Sequence, residues 1–333
     1  MKNSVLYCLV FVLTFSCRHS ADNSPSASIQ KEGDLLYVNS EWVNWADTVS
    51  EKSSDSIAVI RLFNELSKSS DQFSRGIYIN PSYNGNAFIE GHRENFDDDP
   101  EQEFVFLAGG LSDQSLLLII DSIKGKYQIA YFTQIYSYDG QPEIKVHTNG
   151  SYKLVELISR GGGGAGYKTD VHALYRLVDS KMHKVLEAYE GTDISGTLKM
   201  KINSSMQMWD TTFKEDAVLL HYNAKYWICN NYNERSNIED SWNADQAQIC
   251  DPSDGVVLLN KEYGLLCRWS EDSLKYLPDY SRGLTVEQKT LFDHVNSDED
   301  YAKRFFNAFR KDIFDQNIEK SVTLKLLNSR FVK

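Results

Sequence analysis

Asn95, Asp97, Asp99 and Glu103 set oxygen-bearing side chains at positions 1, 3, 5 and 9 of a short acidic loop that runs into Phe104-Val105-Phe106-Leu107. Hard cations such as calcium need that many oxygens converging on one point, so calcium coordination is the chemistry this spacing allows. A solvated acidic turn is the competing reading. Ser159 to Thr169 carries five glycines and comes close to a phosphate-binding loop, whose lysine directly follows the last glycine. Here Tyr167 intervenes before Lys168, and Val171 to Val178 reads as a strand where a helix is needed. No nucleotide is therefore expected. The segment reads instead as a backbone-exposed connection between two strands, with Arg160, Tyr167 and Lys168 placed to line a ligand site. Six Trp and 19 Tyr would suit a sugar platform, and Trp242, within Asp240-Ser241-Trp242-Asn243, is the least core-like of them. No CxxC, HExxH or GxSxG occurs and the seven histidines are scattered singly, so no catalytic residue and no zinc site is assigned.

Two local patterns are similar to known families. The acidic turn before an apolar strand resembles the calcium loops of FG-GAP and VCBS-type repeats. The resemblance implies Asn95, Asp97, Asp99 and Glu103 as ligands over about a dozen residues. At the N-terminus, Lys2 precedes the uncharged run Val5 to Phe15, too short for a bilayer span of about 20 residues but matching the core of a secretory signal. Its end, Leu13-Thr14-Phe15-Ser16-Cys17, resembles the lipobox of bacterial lipoproteins. That resemblance implies lipidation of Cys17, removal of what precedes it, and a membrane partner held through the lipid. Arg18, which is not acidic, favours the outer membrane on the same resemblance.

Lys plus Arg is 35 against 47 Asp plus Glu, a net charge of −12, which repels phosphate backbones and excludes a polybasic membrane surface. Nucleic acid is not an expected partner. Of the three cysteines beyond the signal, Cys229 and Cys250 bracket the polar, Asn-rich stretch 230–248 and are the chosen disulfide among three possible single pairings. Closing that loop would stabilise by about 3 kcal/mol. Cys267, inside Leu265-Leu266-Cys267-Arg268-Trp269, reads as buried.

These residues need a scaffold, and the patterning indicates one that is β-rich. Residues 1–17 read as signal and 18–33 as a flexible Ser- and Asn-containing tether. Residues 34–283 form the β-rich body, with a possible sub-boundary near 205–215, and 284–333 form a helical segment packed on it. Ile57 to Leu66 falls at helical spacing. Short β-branched and aromatic runs then follow, Phe104 to Leu107, Leu116 to Ile120, Tyr127 to Thr133, Tyr152 to Ile158, Val171 to Val178, Val218 to Tyr222 and Val256 to Leu259, with hairpin turns at Lys124-Gly125 and Asp179-Ser180. Thr285 caps one helix, and Ser297 caps a longer one to about Ile318 with the stripe Tyr301, Phe305, Phe309, Ile313. Val322, Leu324 and Leu326 suit a closing strand. The fold class is β-rich α+β: an antiparallel β-sandwich or small irregular propeller-like body with C-terminal helices.

The function expected from this reading is an envelope-anchored, non-catalytic binding module for a glycan, peptide or protein partner. The alternative is a hydrolase that acts on an envelope or extracellular polymer with a carboxylate pair.

Overall fold

Two antiparallel sheets follow one another along the chain. The computed structural model describes residues 25–48, 56–69, 88–96, 99–109, 114–137, 141–149, 152–164, 166–195, 198–208, 216–229, 252–253, 255–295 and 299–316. Strands β1 (Ile29–Glu32), β2 (Leu35–Val38), β3 (Phe88–Glu94), β4 (Glu103–Gly109), β5 (Gln114–Ile123) and β6 (Lys126–Tyr136) make a sheet in the order β1-β2-β6-β5-β4-β3. Helices α1 (Ser40–Thr48) and α2 (Ser56–Ser69) lie between β2 and β3 in the chain. A second sheet of eight strands keeps sequence order: β7 (Glu143–Asn149), β8 (Tyr152–Gly164), β9 (Tyr167–Val178), β10 (Lys181–Asp193), β11 (Lys199–Met208), β12 (Ala217–Cys229), β13 (Gly255–Ser270) and β14 (Lys275–Pro278). Helices α3 (Val286–Asp293), α4 (Glu299–Ala308) and α5 (Arg310–Asp315) complete the described chain.

The burial of the strands explains their sequences. Strand β4 is buried along its whole length: Phe104, Phe106 and Ala108 face Trp42, Val43, Leu62 and Leu66 of α1 and α2, while Val105 and Leu107 meet Val155, Leu157 and Tyr175 of the second sheet. A strand covered on both faces reads as a continuous apolar run, and Leu116 to Ile120 of β5 does the same. Strands β11 and β12 alternate instead. Ile202, Met206, Leu220, Tyr222 and Tyr226 are buried, and Asn203, Ser205, His221 and Asn223 are exposed. One face therefore packs under α3–α5 and the other meets solvent.

The two hairpin turns form as their sequences indicate, with left-handed backbone at Lys124 (φ 50°) and Gly125 (φ 77°) and at Asp179 (φ 49°) and Ser180 (φ 57°). Thr285 caps α3, accepting from Gln288 N, while the Gln288 side chain returns to Thr285 N. Four features differ from the sequence expectation. Residues 29–32, read as the end of the tether, pair with β2 as an edge strand. Helix α1 was not foreseen; its Trp42 ring stands edge-on to Phe106 at 5.4 Å. The long C-terminal helix is interrupted at Phe309 (φ −107°, ψ 12°), whose ring stays against Phe292, Phe305 and Tyr263 and so keeps the aromatic stripe on the core. Strands β11 and β12 flank the sub-boundary near 205–215 and pair along their length in one sheet. The strand expected at 322–326 lies outside the described residues.

Candidate ligand-binding pocket

The glycine-rich segment forms the end of β8, the tip of a hairpin and the start of β9. Close approach explains its composition. A Cβ on Gly161 would stand 2.2 Å from the Thr169 carbonyl oxygen, and Gly166 turns the chain at φ +90°. The Gly166 carbonyl accepts a hydrogen bond from Ile194 N at 2.8 Å, which docks the tip on the β10–β11 connection. Across from it, a Cβ on Gly191 would meet both the Lys168 carbonyl at 2.9 Å and Val295 beyond α3 at 3.1 Å. Gly166 and Gly191 thus let the hairpin tip and β10 approach closely, and the Val295 side chain closes on Gly191 from the end of α3.

Between them lies a pocket of about 520 Å³, within the range of small-ligand sites. Tyr167 and Thr169 of β9 form one wall, Tyr189 and Asp193 of β10 the floor, and Asp293 and His294 at the exit of α3 the far side. Asp193 is 3% exposed, and its Oδ1 accepts from Ser195 N at 3.0 Å and Ser195 Oγ at 2.6 Å, a local turn. Lys199 lies beneath and donates to the Ile194 carbonyl; burial pulls its pKa down, and the charge of Asp193 pushes it back up. Tyr189 donates to Glu187 Oε2 at 3.1 Å, and burial together with that carboxylate raises its phenol to about 12. Asp293 sits in the last turn of α3, at the negative end of the helix dipole. Burial pushes its pKa up, and Lys289, which grips both its oxygens, opposes the rise.

Among the residues marked out by sequence, Tyr167 reaches this pocket. Arg160 and Lys168 do not. Side chains alternate along β9, which puts Lys168 on the face opposite Tyr167. Arg160 is on that face too, bound to Glu143 and, at 3.3 Å, to Asp170. The three residues expected to flank one site are thus split between two faces. Tyr189, Asp193, Asp293 and His294 were missed. The single local signal was Asp193-x-Ser195, a turn-forming pair beside Gly191.

The face holding Arg160 carries a second polar assembly. His147 Nε2 lies 2.6 Å from Glu156 Oε2, Glu156 Oε1 lies 2.7 Å from His172 Nδ1, and His172 Nε2 lies 3.7 Å from Glu190 Oε2, an alternating row across β7, β8, β9 and β10. Ser204 N adds a hydrogen bond to Glu190 at 3.3 Å. Burial opposes charge on Glu156, yet the hydrogen bonds from His147 and His172 outweigh it and hold the carboxyl near 2. Burial likewise opposes charge on His172, and the Glu156 and Glu190 carboxylates overcome it to raise the imidazole to about 9. His172 is therefore an imidazolium at neutral pH.

In the acidic loop, Asn95 Nδ2 donates to the carbonyls of Asp99 and Glu101, Asp99 Oδ1 accepts from Glu101 N at 2.9 Å, and Glu103 Oε2 accepts from Phe96 N at 2.6 Å. Asn95, Asp99 and Glu103 are thus brought together as the closure of the loop. No group of three or more metal-ligating side chains converges among the described residues. Asp97, Cys17, Cys250, Trp242 and the side chain of Cys229 lie outside the described residues. Cys267 is a free, fully buried thiol, pushed up to about 12 by burial. No helix among the described residues is long and apolar enough to cross a membrane. No protein-family model, curated protein or solved structure matches the chain.

Proposed function

We propose that the protein is an exported lipoprotein, tethered through Cys17 to the outer membrane of a bacterial envelope, whose body binds a glycan without cleaving it. The observation that carries the reading is the pocket. An exposed tyrosine, Tyr167, stands beside a second tyrosine and a buried carboxylate, the pairing of aromatic face and acceptor that holds a sugar ring and its hydroxyls. The two carboxylates of the pocket favour the alternative, a polymer hydrolase. Against it, Asp293 is clamped by Lys289 and Asp193 is held by Ser195, so neither is poised to deliver or take a proton.

Co-sedimentation with insoluble envelope polysaccharide tests the reading. The full-length protein should pellet with the polymer, Tyr167→Ala should stay in solution, and Asn203→Ala, on the exposed face of β11, should pellet like the parent. Equal pelleting of Tyr167→Ala and parent would contradict the assignment of the pocket. Release of reducing ends, lost in Asp193→Asn, would replace the binder with the hydrolase. Labelled fatty acid entering the parent but not Cys17→Ser tests the anchor.

A further inference from the structure

We infer that the glycan taken by this pocket is uncharged and hydroxyl-rich, and that Lys289 and Lys199 set this selectivity by neutralising the two carboxylates of the lining. The inference rests on the glycan reading and deepens it. Lys289 Nζ donates to both oxygens of Asp293, at 2.6 Å to Oδ2, so that carboxylate has its counter-charge within α3. Lys199 donates to the carbonyl of Ile194, the residue between Asp193 and Ser195, which holds its ammonium against the Asp193 turn. The Asp193 charge accordingly pushes the lysine up against the pull of burial. Just outside the lining the pairing recurs: Glu187 accepts from Lys184 at 2.9 Å on one oxygen and from Tyr189 at 3.1 Å on the other.

What the pocket offers a ligand is therefore balanced in charge and able both to donate and to accept. The hydroxyls of Tyr167 and Thr169 can do either, as a sugar hydroxyl can. His294 spends Nδ1 on the Asp293 carbonyl at 2.9 Å and keeps Nε2, and Asp193, with Oδ1 held by Ser195, keeps Oδ2 as an acceptor. Tyr167, 37% exposed, adds a ring face for the apolar side of a sugar. An ammonium or carboxylate on the sugar would lose water without gaining a counter-charge, or would have to part a lysine from its carboxylate. A hydroxyl in the same place does neither.

Titration calorimetry of the full-length protein with four oligomers of equal length tests the inference: glucose and N-acetylglucosamine, which are uncharged, and glucosamine and glucuronate, which are not. The tighter of the uncharged pair should bind at least about tenfold better than either charged oligomer. Its affinity should change by no more than about twofold between roughly 0.05 and 0.5 M salt. Lys289→Met should strip Asp293 of its counter-charge and raise the affinity for the glucosamine oligomer at least about tenfold. No such gain in a folded variant would overturn the role of Lys289. If Lys289→Met does not fold, the order of the four oligomers and the salt response of the parent still decide. Equal or tighter binding of a charged oligomer by the parent overturns the inference and leaves the glycan reading standing. Binding of none of the four overturns both.

Discussion

Between β11 and β13 the eight-stranded sheet presents Met206, Leu220, Tyr222, Tyr226 and Leu265 to helices α3–α5, whereas between β7 and β10 the same sheet carries the row His147, Glu156, His172 and Glu190. In the first region Tyr226 stacks on Phe305 with ring centroids 4.1 Å apart. The Tyr301 hydroxyl donates to the Leu291 carbonyl at 2.9 Å, which leaves Tyr226 to donate to Tyr301. Stability there comes from apolar area and aromatic geometry, with no group that titrates near neutral pH in the stack. In the second region stability depends on charge. Two carboxylates and two imidazoles must stand in alternation, and a one-residue slip of any strand would turn its member to the other face. The ionic row therefore specifies register and makes half of the sheet sensitive to pH, while the aromatic half supplies bulk stability.

Phe305→Ala should be the most damaging test of this contrast, since it removes a wholly buried ring and leaves a cavity under Tyr226. The expected cost is about 3–5 kcal/mol, read from the urea midpoint and unchanged between pH 5 and 9. Glu156→Gln should cost about 3 kcal/mol, the lower end for breaking a buried ion pair, because the amide still accepts one hydrogen bond. Its loss should be largest where His172 is charged in the parent.

A pH series comes next in size. Glu156, held near 2, contributes stability that is complete above its ordinary value of 4.5 and is lost as pH falls through 2. His172, raised to about 9, contributes stability that is complete below its ordinary 6.5 and is lost as pH rises through 9. The melting temperature should therefore plateau between 4.5 and 6.5 and decline by several degrees toward 9, and His172→Gln should flatten that alkaline decline. An equally steep decline in the variant would assign it to other groups. The smallest effect belongs to an exposed pair. Lys126 and Glu32 meet at 3.2 Å with both side chains more than half exposed, and Lys126→Ala should cost no more than about 0.5 kcal/mol.

Much of the scaffold was legible from single residues and their spacing. Phe104-Val105-Phe106-Leu107 reads as a strand buried on both faces and is one, Thr285 caps the helix it precedes, and Tyr301, Phe305, Phe309 and Ile313 fall on the core. Strand β10 was not legible, because a bulge between Lys184 and Leu186 shifts its alternation midway. Helix α1 was missed because it has only nine residues and its buried Trp42, Val43 and Ala46 make a narrow stripe. The sites were hidden for a different reason. Tyr167, Asp193 and Asp293 share one pocket through tertiary convergence, and no local pattern links residues so far apart. The histidines, read as isolated, meet Glu156 across strands in the same way.

Hydrogen–deuterium exchange on the full-length protein, with and without a saturating soluble fragment of the envelope polysaccharide, tests the pocket most directly. Ligand should slow exchange at 166–169, 187–195 and 289–295 together, the three segments that meet at the pocket, and leave the exposed faces of β11 and β12 unchanged. Protection confined to β11 and β12, or absent from all three segments, would contradict the pocket as the binding site.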